Sequence, residues 1–338
     1  PRTGVVDHRV MLSVVAAEDL KAPAYSLSKT GEVERNLVKR HFITVPEGTK
    51  ALQVNLGGIA TNSQVRWIAF NPYGVPVDST ATTQCYTNFP GSSCDANSRA
   101  YSNPIPGVWE LIVESRRTSP FLDNPYRLTA SAQGVTVDPA IQTVAAPIGV
   151  ATPVTWTVRN DFGPVTVTPQ GGNLGSALSQ RPTIADAAAQ EFEVAVPAGA
   201  QRLDVTIGNP SDLSADLDLT VYNAAGELVG QDADGDSEES VSIASPAPGT
   251  YTVVVDGYSV PAGNTEYDYL DVFFSSALGT LAVPGTAITL SGGQSATVTG
   301  TLTAAAPAAA GRQLFGEMTV VTPAGAVLGT GSVLVSAP

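Results

Sequence analysis

The chain has 338 residues and a net charge of −14, with 17 Lys and Arg against 31 Asp and Glu. That balance argues against a phosphate-binding surface, which needs clustered cations, so nucleic acid is not an expected partner. No apolar run reaches the roughly 20 residues of a membrane helix, and 32 Gly and 25 Pro punctuate short alternating segments, the mark of β-sandwiches or barrels.

The charge is uneven. Residues 1–135 hold 13 Lys and Arg against 11 Asp and Glu, whereas residues 136–338 hold 4 against 20. An acidic half of this kind suits an extracellular protein or a binder of divalent cations, and equally simple solubility. The chain opens at Pro1 rather than Met, as expected of a piece of a longer protein whose export signal would lie upstream.

In chain order, residues 1–30 are expected to contribute strands that continue an upstream domain. Residues 31–134 form a first β-sandwich. Its strand at Leu52, Val54 and Leu56 alternates with a period of two and buries one face. Cys85 and Cys94 lie in a Thr-, Ser-, Asn- and Gly-rich loop of this unit, and with no other cysteine in the chain a disulfide between them is expected. Residues 135–185, with Val154–Val158 and Val165–Val167, are expected to be a small linking module, and residues 277–338 a second small immunoglobulin-like one.

Residues 186–276 repeat the first unit. Val45, Pro46 and Gly48 meet Val196, Pro197 and Gly199 at a shift of 151, and Leu52, Val54 and Leu56 meet Leu203, Val205 and Ile207. Phe70-Asn71-Pro72-Tyr73-Gly74 meets Tyr222-Asn223-Ala224-Ala225-Gly226 at 152, and Pro106-Gly107-Val108-Trp109 meets Pro248-Gly249-Thr250-Tyr251 at 142. Prolines before each last strand mark where a sheet ladder cannot yet begin. The expected class is all-β: tandem β-sandwich or jelly-roll domains produced by internal duplication and joined by small modules.

The pattern Val-Pro-x-Gly, then Asp-Leu-Asp-Leu at 216–219, then Pro-x-Pro-Gly-x-Tyr-x-Val-x-Val at 246–255, resembles the bacterial pre-peptidase C-terminal domain. The first copy is similar to the non-catalytic tail of large actinomycete subtilisin-like (S8 family) serine proteases. The resemblance implies a secreted peptidase whose catalytic domain lies N-terminal to Pro1, with that domain, a protein substrate or further copies of the chain as partners.

The motifs of a Ser-His-Asp triad are missing from the sequence. His8 and His41 have no Gly-rich nucleophile turn beside them, and no zinc-ligand spacing is present. No catalytic residue is therefore assigned. The chemistry-bearing feature is acidic. Asp216 and Asp218 share one face of a strand, and Asp232, Asp234 and Asp236 follow in a turn. Carboxylate oxygens at this density suit Ca²⁺, although Ser237 and Ile243 at the sixth and twelfth positions exclude an EF-hand. A solvated acidic hairpin is the competing reading. In the first copy Gln64 and Arg66 stand where the second has Asp216 and Asp218, and Thr80–Gln84 where it has Asp232–Asp236. Trp67, Trp109 and Trp156 could form sugar platforms, but the first two align with Leu219 and Tyr251, as core residues do.

Three functions compete on this reading. They are an accessory region of a secreted subtilisin-like protease, an independent binding module for an extracellular protein or glycan polymer, and a structural spacer.

Overall fold

A computed structural model describes residues 14–78, 84–90 and 94–336. Strands build it almost throughout, in agreement with the all-β expectation, and none of its described helices is long and apolar enough to cross a membrane.

The first sandwich comprises β1 (Glu18–Asp19), β2 (Ser26–Glu34), β3 (Val38–Val45), β4 (Ala51–Gly57), β5 (Val65–Phe70), β6 (Ser98–Ser102), β7 (Gly107–Ser115) and β8 (Asp123–Gln133). They form two sheets, β1-β3-β7-β5 and β2-β8-β4-β6. Alternation decides the inner faces: Trp109, Leu111 and Val113 on β7 and Leu52, Val54 and Leu56 on β4 all enter one buried cluster with Ile43, Trp67 and Leu128. The segment expected to continue an upstream domain belongs here instead. Through residues 18–30, β1 runs parallel to β3 and β2 pairs with β8 from Ser26↔Ser131 to Glu34↔Asp123. Its backbone groups find partners in this sandwich, which is why it folds with it. Residues 1–13, including His8, lie outside the described residues.

Cys85 and Cys94 are joined with 5.8 Å between their Cα atoms, as expected from the sequence. The chain just after Cys85 is tied down: Thr87 Oγ1 accepts the Val65 N–H at 3.1 Å, and the Tyr86 hydroxyl donates to Glu114 Oε1 at 2.9 Å. Replacing both cysteines by Ser should lower unfolding free energy by about 2–3 kcal/mol, the loop-closure contribution of a ring this size. Denaturant titration of the double variant checks it.

Beyond the first sandwich come β9 (Val135–Asp138), β10 (Ile141–Val144), β11 (Ala151–Asn160), β12 (Val165–Gln170), β13 (Gly172–Asn173) and β14 (Gly175–Gln180). The second sandwich holds β15 (Thr183–Ala185), β16 (Ala189–Val196), β17 (Arg202–Gly208), β18 (Asp216–Tyr222), β19 (Leu228–Asp232), β20 (Ser240–Ala244), β21 (Gly249–Ser259), β22 (Asn264–Glu266) and β23 (Asp268–Phe274). A 3₁₀ turn at Ser276–Leu278 leads to β24 (Gly279–Ala282), β25 (Ile288–Leu290), β26 (Ser295–Ala304), β27 (Gln313–Val321) and β28 (Val327–Val335).

The two small modules expected at 135–185 and 277–338 are not separate. β11 pairs with β26 along nine residues, β10 runs parallel to β28, and β12 pairs with β27. The two segments are halves of one sandwich, and the second copy is inserted between them. Each half alone is too short to bury its apolar face, so the halves complete one another across more than a hundred residues of chain. The insertion is also continuous with its host, since one sheet runs β10-β28-β27-β14-β23-β17-β20. Within it, Gly175–Ala177 of β14 pairs with β27 on one side and β23 on the other.

Strand orders in the two sandwiches correspond. The sheet β2-β8-β4-β6 of the first has β14-β23-β17-β20 as its counterpart, and β3-β7-β5 has β16-β21-β18.

Two glycines of β28 leave room for neighbouring core side chains, Gly331 for the central tryptophan and Gly329 for a valine. A Cβ on Gly331 would lie 2.5 Å from Trp156 Nε1, and one on Gly329 2.7 Å from Val135. Trp156 is wholly buried at this contact. Gly331→Val should therefore destabilise the fold by about 1–3 kcal/mol through overpacking, read as a lowered Tm.

Candidate metal centre

β18 alternates cleanly. Leu217, Leu219 and Val221 are wholly buried, and Asp216 and Asp218 project from the opposite face. A register shift against β21 between these two aspartates bends the strand there.

The acidic turn after β19 folds back onto the start of β18. Asp234 Oδ1 accepts the N–H groups of Gly235 (2.6 Å) and Asp236 (3.2 Å), and Asp236 Oδ1 accepts that of Glu238 (2.9 Å). Asp232 Oδ2 accepts the Ser240 N–H at 3.0 Å. The Ser237 hydroxyl donates to the Ala215 carbonyl at 2.7 Å, and the Leu217 N–H donates to the Asp236 carbonyl at 3.1 Å. Glu239 is fixed by a reciprocal backbone pair with Ile207, at 3.0 and 3.2 Å. Short side chains bonding their own turn make the loop rigid.

The result is a convergence of oxygen donors. Carboxylate oxygens of Asp234, Asp236 and Glu239 lie within 4.8 Å of one another. Glu239 is 1% exposed, yet its Oε1 is buried with no hydrogen-bond partner, and Asp216 Oδ1 is equally unpartnered. Burial, followed by the charges of Asp232 and Asp234, pushes the Glu239 carboxyl up to about 8. Burial, Asp234 and Asp236 raise that of Asp216; burial, Asp216, Asp256 and Asp234 raise that of Asp218. Among the described residues none of these carboxylates takes part in an ion pair. A cluster so arranged could bind a metal, and its all-oxygen donor set suits a hard cation.

The first sandwich shows how the same position is neutralised without one. Asp218 sits directly opposite Asp256, where like charges destabilise a strand pair. The corresponding residues of the first sandwich are Arg66 and Glu114, also directly opposite, with Nη2 2.6 Å from Oε2. Arg66 further stacks on Tyr86, 4.6 Å from the ring centroid. A guanidinium thus supplies the positive charge that the second sandwich's own residues do not. Thr80–Thr83, the counterpart of most of the acidic turn, lies outside the described residues.

Of the five aspartates proposed from sequence, Asp234 and Asp236 converge. Asp232 acts on Glu239 from the turn's other end, and Asp216 and Asp218 flank the turn from β18. Glu239 was missed. Its parity could have found it, because Glu239, Val241 and Ile243 fall on the same side of β20, so a carboxylate occupies an inward-facing place.

The other candidates resolve differently. Trp67, Trp109 and Trp156 are at most 2% exposed, so they are core side chains rather than sugar platforms. His41 Nε2 lies 2.9 Å from the Tyr126 hydroxyl.

Residues 191–257, which carry this cluster's strands, match the family described as the bacterial pre-peptidase C-terminal domain. Pyrolysin of Pyrococcus furiosus is 27% identical over 311 residues, 90% of this chain and 21% of pyrolysin. The chain is thus similar to part of pyrolysin, and its residues 191–257 resemble a pre-peptidase C-terminal domain. The crystal structure of tripeptidyl peptidase 2 aligns with 96% of this chain and 31% of its own chain, at 12% identity and a TM-score of 0.45. The chain therefore spans about a fifth of pyrolysin and a third of tripeptidyl peptidase 2.

Proposed function

We propose that this chain is the non-catalytic accessory region of a secreted subtilisin-like serine protease, and that it stabilises or positions the catalytic domain, its substrate or its fellow subunits. The observation that carries this reading is the pre-peptidase domain match at 191–257 inside a chain that aligns with pyrolysin over 90% of its length. The Cys85–Cys94 disulfide supports an oxidising, extracellular setting. The corresponding strand orders support a tandem duplication as the origin of the two sandwiches.

Within this function the acidic turn is a structural Ca²⁺ site. Asp234, Asp236 and Glu239 would hold the ion, with Asp216, Asp218 and Asp232 beside them. Bound Ca²⁺ would supply positive charge and hard-acid coordination to Asp234, Asp236 and Glu239, whose Oε1 has no hydrogen-bond partner.

Deleting residues 1–338 from the parent protease tests the accessory role. Shorter thermal half-life, or reduced turnover of folded protein substrates with small-peptide kcat/KM unchanged, is the expected result. A parent with both properties intact would reduce the chain to a spacer.

A further inference from the structure

A second site lies where the two sandwiches meet. A cleft of about 450 Å³ is lined by Ala100, Tyr101 and Ser102 of β6, by Val77 and Ile105 of the first sandwich, and by Asp234 of the second. That volume is in the range of ligand-binding clefts. Consecutive strand residues can line one groove only along the strand's edge, because alternate side chains point to opposite faces. β6 is the last strand of its sheet among the described residues, paired only with β4. On its outer side the Ser98 N–H donates to Asp95 Oδ1 at 2.9 Å, which leaves the backbone groups of Ala100 and Ser102 as a template for another extended chain.

The chemistry of the walls selects the occupant. Val77 and Ile105, in the cleft, are 37% and 39% exposed, and Tyr73, Val75 and Val108 of the same sandwich are exposed too. The corresponding positions of the second sandwich are Ala225, Glu227, Ala247 and Thr250 for Tyr73, Val75, Ile105 and Val108. The fold itself therefore does not require large apolar groups there. The facing wall is acidic, with Asp234 exposed in the cleft and Asp232 and Asp236 on either side of it in the chain. The cation of this neighbourhood is already committed, since Arg99 is bound to Asp78 at 2.5 Å and to the Trp67 carbonyl at 2.6 Å.

We propose that this cleft takes an extended, basic and apolar polypeptide segment as an added strand on β6, its apolar side chains against Val77 and Ile105 and, when the acidic turn holds no Ca²⁺, a Lys or Arg against Asp234. Main-chain pairing gives the affinity, and the alternating walls give the preference. The inference goes beyond the accessory reading and holds for the isolated chain whatever the parent's activity.

The test uses the full chain with an acetylated eight-residue peptide of alternating Val and Lys, and a counterpart with Glu in place of Lys. Fluorescence anisotropy at low salt in EDTA, with Asp234 free of metal, should show saturable binding of the Lys peptide at least tenfold tighter than the Glu peptide. Hydrogen exchange should slow at Ala100 and Ser102, whose amides face away from β4. Ile105→Asp, at a half-exposed position, should weaken binding at least tenfold with an unchanged Tm. Equal affinity for both peptides overturns the proposal, as does protection confined to other strands or undiminished binding by folded Ile105→Asp. A concentration-dependent dimer in sedimentation that protects Ala100 and Ser102 would assign the cleft to a second copy and overturn it too. None of these outcomes bears on the parent-deletion experiment, so the two readings fail separately.

Discussion

Glu239→Gln should abolish saturable Ca²⁺ binding and remove the Tm increase that Ca²⁺ gives the wild type. A ligand at a hundred times its Kd stabilises the native state by about 2.7 kcal/mol. For a unit of 150–250 residues that is roughly 5–10 °C. The sign reverses without the ion. Glu239 is buried with an unpartnered oxygen, so the amide, which removes a buried charge, should leave the metal-free protein as stable as wild type or more so at pH 8. Calorimetric titration and paired melts in Ca²⁺ and EDTA separate the two effects. A Tm loss of equal size in both buffers would make Glu239 an ordinary structural residue.

The pH dependence follows from the same group. Its carboxyl titrates near 8 in the folded chain, well above an unfolded glutamate at about 4.5. Between those values the folded state binds a proton that the unfolded state does not. Metal-free stability should therefore be highest near and below pH 4.5 as far as this group is concerned, and fall as pH rises towards 8. Ca²⁺ competes with that proton, so its affinity should climb across the same window. Melts from pH 5 to 8 should fall in EDTA and flatten or rise in Ca²⁺. Parallel curves in the two buffers would contradict the site.

Arg312→Ala is expected to cost about 3–5 kcal/mol, the largest single loss in the chain. Asp271 on β23 is fully buried, and Arg312, at the entrance to β27, is its ionic partner. The same guanidinium donates to the Ser176 hydroxyl at 3.1 Å and the Ser176 carbonyl at 2.8 Å, and the Tyr269 hydroxyl donates to Asp271 Oδ2 at 3.2 Å. One cation thus fastens β14, β23 and β27, the three strands through which the inserted sandwich joins its host. Removing it leaves a carboxylate in a buried site whose burial already pushes its pKa up. Arg312→Met with Asp271→Leu should recover most of the loss, because breaking a buried pair costs more than replacing both members. Equilibrium denaturation of the single and double variants measures this. A single variant within 1 kcal/mol of wild type would show the junction to be held by apolar packing alone, through Phe274, Phe315, Val272 and Ala177.

Much of the fold is written locally. Alternation along β4, β7, β17 and β21 named the inward residues, and the structure buries them. Pro-Gly punctuation before β7 and β21, and the Cys85–Cys94 pairing, needed no knowledge of neighbours either. The aligned tryptophans went to the core because their counterparts were Leu219 and Tyr251. In the candidate site, the density of aspartates between 216 and 236 was visible, because an acidic turn beside a strand with two outward carboxylates is a local pattern.

Other features depended on distance along the chain. That β11 pairs with β26, and that β2 closes on β8, is set by which apolar faces can cover one another, and period-two patterning is silent on partners. Parity with Val241 places Glu239 inward, but that its carboxylate is buried without a counter-charge emerges only once its backbone pairs with Ile207. The opposition of Asp218 to Asp256, and of Arg66 to Glu114 in the other sandwich, exists only once strands 38 and 48 residues apart lie side by side. Sequence determined which residues face inward and where the acid is concentrated, because those follow from backbone geometry and composition. Tertiary structure alone decided which strands are neighbours and which carboxylates lack a counter-charge, because desolvation and Coulomb interaction depend on distances in space.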